Sequence, residues 1–98
     1  MGRYLVHWEV VQAQIPIDPK ERGAGWAALM AMTGQDIEKG LITSWGAFVG
    51  ETNGYAVFEG TELEVMNAIQ QYVPFCIFKV KPLASQSQVN EMIKALSG

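Results

Sequence analysis

The chain has 98 residues, 49% of them hydrophobic and 17% charged, with a formal net charge of −3 and a pI near 5.0. That composition fits one compact domain spanning residues 1–98 and excludes a disordered tail or a fibrous repeat. The acidic balance, with only seven scattered Lys and Arg residues, argues against a nucleic-acid partner, because a phosphate backbone needs clustered cations. No apolar run approaches the ~20 residues of a membrane span. The opening "MGRYLV" lacks the apolar core and cleavage site of a secretory signal, so a cytoplasmic location without membrane attachment is expected. Cys76 is the single cysteine, which excludes an intrachain disulfide and a cysteine-rich metal site.

In chain order, "RYLVHWEVV" alternates as a strand, with Tyr4, Val6, Trp8 and Val10 on one face and Leu5, His7, Glu9 and Val11 on the other. Asp18 with Glu21 caps a helix that opens on Pro19 and carries Trp26, Leu29, Met30, Thr33 and Ile37 towards Gly40. Gly23, Gly25 and Gly34 predict a late start or a kink in it. The strand "LITSWGAFVG" follows, then "GYAVFEG", with Asn53-Gly54 at the tight turn between them. Thr61 with Glu64 starts a helix whose stripe is Leu63, Met66, Ile69 and Val73, ending at Pro74. "FCIFKVKPL" is the last strand, and Ser85 with Gln88 starts a closing helix bearing Val89, Met92, Ile93 and Leu96.

This order, β-α-β-β-α-β with a trailing helix, predicts an α+β, ferredoxin-like domain. Its four-stranded antiparallel sheet has strands one and three side by side and two helices on one face. Alternation places Ile42, Gly46, Phe48, Ala56, Phe58, Cys76, Phe78 and Val80 on the helix side. Thr43, Trp45, Ala47, Val49, Tyr55, Val57, Glu59, Phe75, Ile77 and Lys79 fall on the open side. An open face this apolar wants a cover. A domain of this size also leaves much of its bulk near the surface: three Trp, four Phe, three Tyr and five Met exceed what one small core hides. A homodimer closed through the open sheet face is expected.

His7 and Glu9 lie two apart on one strand, about 6.5–7 Å from each other on the same face, a spacing that suits proton transfer through a bound molecule. Glu59 on a neighbouring strand offers a second carboxylate, and Lys79 offers a cation for a ligand carboxylate. Trp45 and Tyr55 are candidate pocket walls on that face. The competing reading gives the same polar residues to an interface network. Cys76 reads as an inert buried thiol, and Trp8 and Trp26 as core. "GAGWAA", residues 23–28, lacks the strand-turn context of a dinucleotide fingerprint. With one histidine and no second soft ligand, neither a metal site nor a cofactor is called for.

Residues 41–83, "LITSWGAFVGETNGYAVFEGTELEVMNAIQQYVPFCIFKVKPL", resemble the small, muconolactone-isomerase-like and uncharacterised members of the dimeric α/β-barrel superfamily. The resemblance lies in a Trp-Gly strand, a hairpin, a "GYAVFE" strand, a capped helix ending in "YVPF" and a final "FKVKPL" strand. It implies two chains pairing their open sheet faces and a cavity for a small aromatic or lactone-like molecule. No catalytic residue of such a family carries over. Two function classes follow: a cofactor-independent isomerase or monooxygenase using His7 and Glu9, or a non-enzymatic ligand-binding or oligomerisation domain.

Overall fold

A computed structural model describes residues 2–98 of the chain. Its elements are β1 (Gly2–Val10), a short 3-10 turn (Gln12–Gln14), α1 (Pro19–Glu38), β2 (Ile42–Ala47), β3 (Asn53–Gly60), α2 (Glu62–Gln70), β4 (Cys76–Leu83) and α3 (Gln86–Leu96). The four strands form one antiparallel sheet in the order β2-β3-β1-β4. The fold is therefore α+β, with an open four-stranded sheet and three helices, and strands one and three are neighbours as the sequence predicts.

The inner face of β1 supplies the core: Val6, Trp8 and Val10 are buried while Arg3, Leu5 and Glu9 are exposed. They pack with Ile42, Ala56, Phe58 and Cys76 from the other strands and with Val65, Ala68 and Tyr72. Trp26, Leu29 and Met32 of α1 close the cluster, so α1 and α2 lie over the same side of the sheet. Burial of β-branched and aromatic side chains on one face of a pleated sheet is what holds these layers together.

α1 begins at its cap. The Asp18 carboxylate accepts from the Glu21 N–H at 3.1 Å, and Pro19 occupies the first turn, so the late start expected from the glycines does not occur. The cap and the buried inner side offset their helix cost. The helix ends as the sequence predicts: Gly40, at φ 79°, lets its own N–H reach Ile37 O and the Leu41 N–H reach Asp36 O, a Schellman closure. Its buried side is rotated from the predicted stripe. Thr33 and Asp36 point inwards while Met30 and Ile37 are exposed.

Two strand predictions are corrected. The chain between β2 and β3 turns at Phe48–Glu51, closed by the Glu51 N–H on Phe48 O, with Gly50 at φ 81° in its third position. Asn53 and Gly54 are already within β3. Second, β2 carries a bulge between Ile42 and Ser44, after which Trp45 pairs with Ala56 and Gly46 with Tyr55. Residues opposite one another share a face, so Trp45 turns to the helix side and Gly46 to the open side, the reverse of simple alternation. The bulge inserts one residue and shifts every later side chain of the strand to the other face.

α2 has the capping box predicted at Thr61 and Glu64, but it stops at Gln70, before the predicted end at Pro74. It also presents a different side to the core. Val65 and Ala68 are buried, while Leu63 and Met66 are 64% and 63% exposed. α3 has its own capping box at Ser85 and Gln88, and none of its residues is buried.

Candidate functional site

On the open side, the register puts His7 between Tyr55 of β3 and Lys79 of β4. These three side chains form one row across the middle of the sheet. His7 is half-buried, its ring 6.3 Å from that of Phe48. No side-chain hydrogen bond or ion pair ties His7, Glu9 or Lys79 down among the described residues. Tyr55 is oriented by a 2.8 Å hydrogen bond between its hydroxyl and Ser44 Oγ. Its ring covers Gly46, where an added Cβ would come within 2.6 Å of Tyr55 Cε1. Glu9 falls in the next row, opposite Asn53 and Ile77.

Two predicted members are not in this group. Glu59 pairs with Arg3, four residues and about 13 Å along the strand from Tyr55, and its carboxylate lies 3.9 Å from Arg3 Nε in the one ion pair among the described residues. It is not the second carboxylate beside His7. Trp45 lies on the opposite side of the sheet, stacked on Trp8 with ring centroids 5.5 Å apart and planes 8° from parallel. Trp26 meets Trp8 edge-on at 6.4 Å, so the three tryptophans form one cluster beneath α1. Among the described residues no three His, Cys, Asp or Glu side chains gather as metal ligands would.

The space available to a small molecule is on the helix side. A cavity of about 250 Å³ lies beneath the start of α1, bounded by Ile15, Pro16, Trp26, Leu29, Met32 and Phe75, with Arg22 also on its wall. Sequence reasoning missed this site, because it forms where the irregular segment after β1 meets the first turns of α1. Arg22 spends one guanidinium nitrogen, Nη1, on the carbonyls of Ile17 at 3.0 Å and Pro16 at 3.4 Å. Its Nε–H and Nη2 donors remain for another acceptor, since the fork has five N–H groups in all. A smaller void of about 40 Å³, walled by the tryptophans, Thr33, Tyr72 and Cys76, adjoins it through Val10, Trp26 and Leu29. Cys76 is buried, as predicted, and that burial pushes its thiol pKa up, which disfavours the reactive thiolate.

A second feature unread in the sequence sits between α1 and the end of α2. Asp36 is only 2% exposed and accepts a hydrogen bond from the Tyr72 hydroxyl at 3.1 Å. That hydroxyl is 3.3 Å from Thr33 Oγ1, which donates to Leu29 O at 2.9 Å. Thr33 and Asp36 are three positions apart, so both stand on one side of α1, a spacing that was legible. Burial, above all, pushes the Tyr72 pKa up from 10.0 to about 12. A hydroxyl that holds its proton more tightly when folded contributes stability fully present below pH 10 and lost as the pH rises from 10 to 12. Over that window the chain is expected to lose on the order of 1–2 kcal/mol through Tyr72. Tyr72→Phe should remove that part of the alkaline slope, at a cost of about 1–3 kcal/mol at neutral pH because Asp36 loses its donor. Urea unfolding of both proteins across this range checks the difference.

No family model matches the sequence, and no curated protein matches it either. No described helix is long and apolar enough to cross a membrane.

Proposed function

We propose that the chain is a ferredoxin-like domain that pairs through its open sheet face into a dimeric α/β barrel and binds a small aromatic carboxylate beneath α1. The observation that carries the ligand class is the cavity of about 250 Å³ with apolar and aromatic walls and a single guanidinium on its rim. Apolar walls accept a flat ring, and a planar fork with unused donors recognises a carboxylate in two-point fashion. The volume is below the range of drug-sized pockets, which suits a ligand of one or two rings. The strand order β2-β3-β1-β4 and the exposed Leu5, Ile77 and Phe48 on the open side support pairing of two sheets.

Because Trp26 walls the cavity and contacts Trp8, tryptophan fluorescence reports binding directly. Benzoate and naphthoate should quench it saturably, and Arg22→Met should weaken their affinity by roughly 10- to 100-fold, the worth of charge-assisted hydrogen bonds. The matching amides should bind poorly to both proteins. Equal affinity for acid and amide, or an unchanged Arg22→Met protein, would remove the reading.

A second reading follows from the unpartnered His7 beside Tyr55 and Lys79. On this reading the paired sheet faces enclose a chamber where His7 exchanges a proton with an aromatic or lactone-like substrate. Glu9 assists and Lys79 holds the substrate's anionic end, without a cofactor. His7 faces away from the helix-side cavity, so one ligand cannot serve both sites. The NMR signals of the lone histidine, followed with the same acids and a set of lactones, separate the two: only a compound on the open face moves them.

A further inference from the structure

We propose that α3 is an arm exchanged between two copies of the chain, laying its apolar stripe against the exposed stripe of α2 in the other copy. Val89, Met92, Ile93 and Leu96 recur at three- and four-residue steps along one side of α3, and all four are exposed, Leu96 to 80%. An 11-residue helix is marginal in water by itself, so this segment needs a surface that its own domain does not supply.

The overall dimensions say how much surface is missing. The chain exposes 6948 Å², whereas a folded monomer of 10.8 kDa exposes roughly 5,500 Å². Its radius of gyration is 16.4 Å and its long axis 62 Å, against roughly 13 Å for the radius of a compact domain of this length. The excess of about 1,400 Å² per chain, doubled over two copies and shared between the helix stripes and the open sheet face, is the size at which permanent homodimers are held together.

The occupant is a second copy because the chain carries the matching surface. α2 turns Leu63 and Met66 outwards, and Val73, three residues past the end of the helix, is exposed as well, apolar surface unused by its own core. Two copies related by a two-fold axis can satisfy both stripes twice, α3 on α2 in each direction. The remaining side chains of α3 are Gln, Ser, Asn and Ala with one Glu91 and one Lys94, which lacks the basic face that draws a helix to an anionic membrane. This contact is separate from the sheet-face pairing proposed above and does not rest on it.

Disulfide trapping between two full-length single variants tests the arm. Ile93→Cys and Met66→Cys chains, purified separately, are mixed at micromolar concentration and oxidised with diamide, with Cys76 left in its buried place. The expected product is a covalent dimer containing one chain of each kind, and neither variant alone should give more than a trace. Self-crosslinking of Ile93→Cys would put α3 against α3 and overturn the assignment to α2. A purely intrachain disulfide in the Met66→Cys/Ile93→Cys double variant would show the arm folding back on its own chain, and would overturn the exchange. The mixed crosslink should persist with Ile77→Lys, which disrupts only the open sheet face; its loss there would overturn an independent arm contact. By light scattering, Ile93→Asp/Leu96→Asp should weaken self-association at least tenfold.

Discussion

Replacing Trp8 with alanine is expected to cost about 3–5 kcal/mol, the range for removing a large buried aromatic. Domains of this length hold only about 5–15 kcal/mol of net stability, so the variant should be near the limit of folding. Three contacts leave together. Trp8 stacks on Trp45, meets Trp26 edge-on, and donates its indole N–H to Tyr55 O at 3.1 Å. The void left behind joins the existing space of about 40 Å³, and such cavities relax only partly. Trp8→Phe keeps a ring in place and should cost less, about 1–2 kcal/mol, from lost volume and the lost hydrogen bond. Urea unfolding of both variants checks this ordering. A Trp8→Ala protein within 1 kcal/mol of the parent would mean that the tryptophan cluster does not anchor the core.

The fold was legible where the physics is local. Each helix start rests on a short polar cap bonded to an N–H three residues on, and Asp18, Thr61 and Ser85 all form the bond their spacing predicts. The inner face of β1 follows strict alternation and is buried as predicted. Sidedness failed where an extra residue or a curved surface intervenes. The bulge after Ile42 moved Trp45 to the helix side, and nothing in "LITSWG" marks a bulge. For α2, Leu63-Met66-Ile69-Val73 and Val65-Ala68-Tyr72 are both valid helical stripes. Periodicity cannot choose between them, because the choice depends on where the sheet lies beneath the helix.

The candidate site divides along the same line. His7, Tyr55 and Lys79 share a face by alternation alone, and the register adds that they share a row. Glu59 was misplaced because β1 pairs with a strand distant in sequence. Only that pairing sets Glu59 opposite Arg3 rather than near His7. The helix-side cavity and its Arg22 were invisible for a related reason: their walls come from β1, the segment after it, α1 and the residue preceding β4, joined only by tertiary packing.

Gly50 and Gly54 should respond oppositely to the same substitution, and the contrast tests where the hairpin turns. Gly50 sits at φ 81° with open space where a Cβ would stand. Asparagine tolerates that left-handed conformation better than other residues with a side chain, so Gly50→Asn should change stability by less than about 1 kcal/mol. Gly54 has no positive φ to satisfy and is required by packing. A Cβ there would meet the carbonyl oxygen of Gly46 and come within 2.5 Å of Trp8 Cζ2. One collision is with backbone across the β2–β3 pair and the other with the stacked indole, and neither partner can move without opening the core. Overpacking of this kind costs about 3 kcal/mol, so Gly54→Ala should be strongly destabilising and Gly54→Asn more so. Thermal unfolding of the variants discriminates directly. Had the turn been at Asn53-Gly54, Gly54→Asn would be the tolerated change and Gly50→Asn the neutral bystander; a large Tm drop confined to the Gly54 variants places the turn at Gly50 and the β3 backbone hard against Trp8.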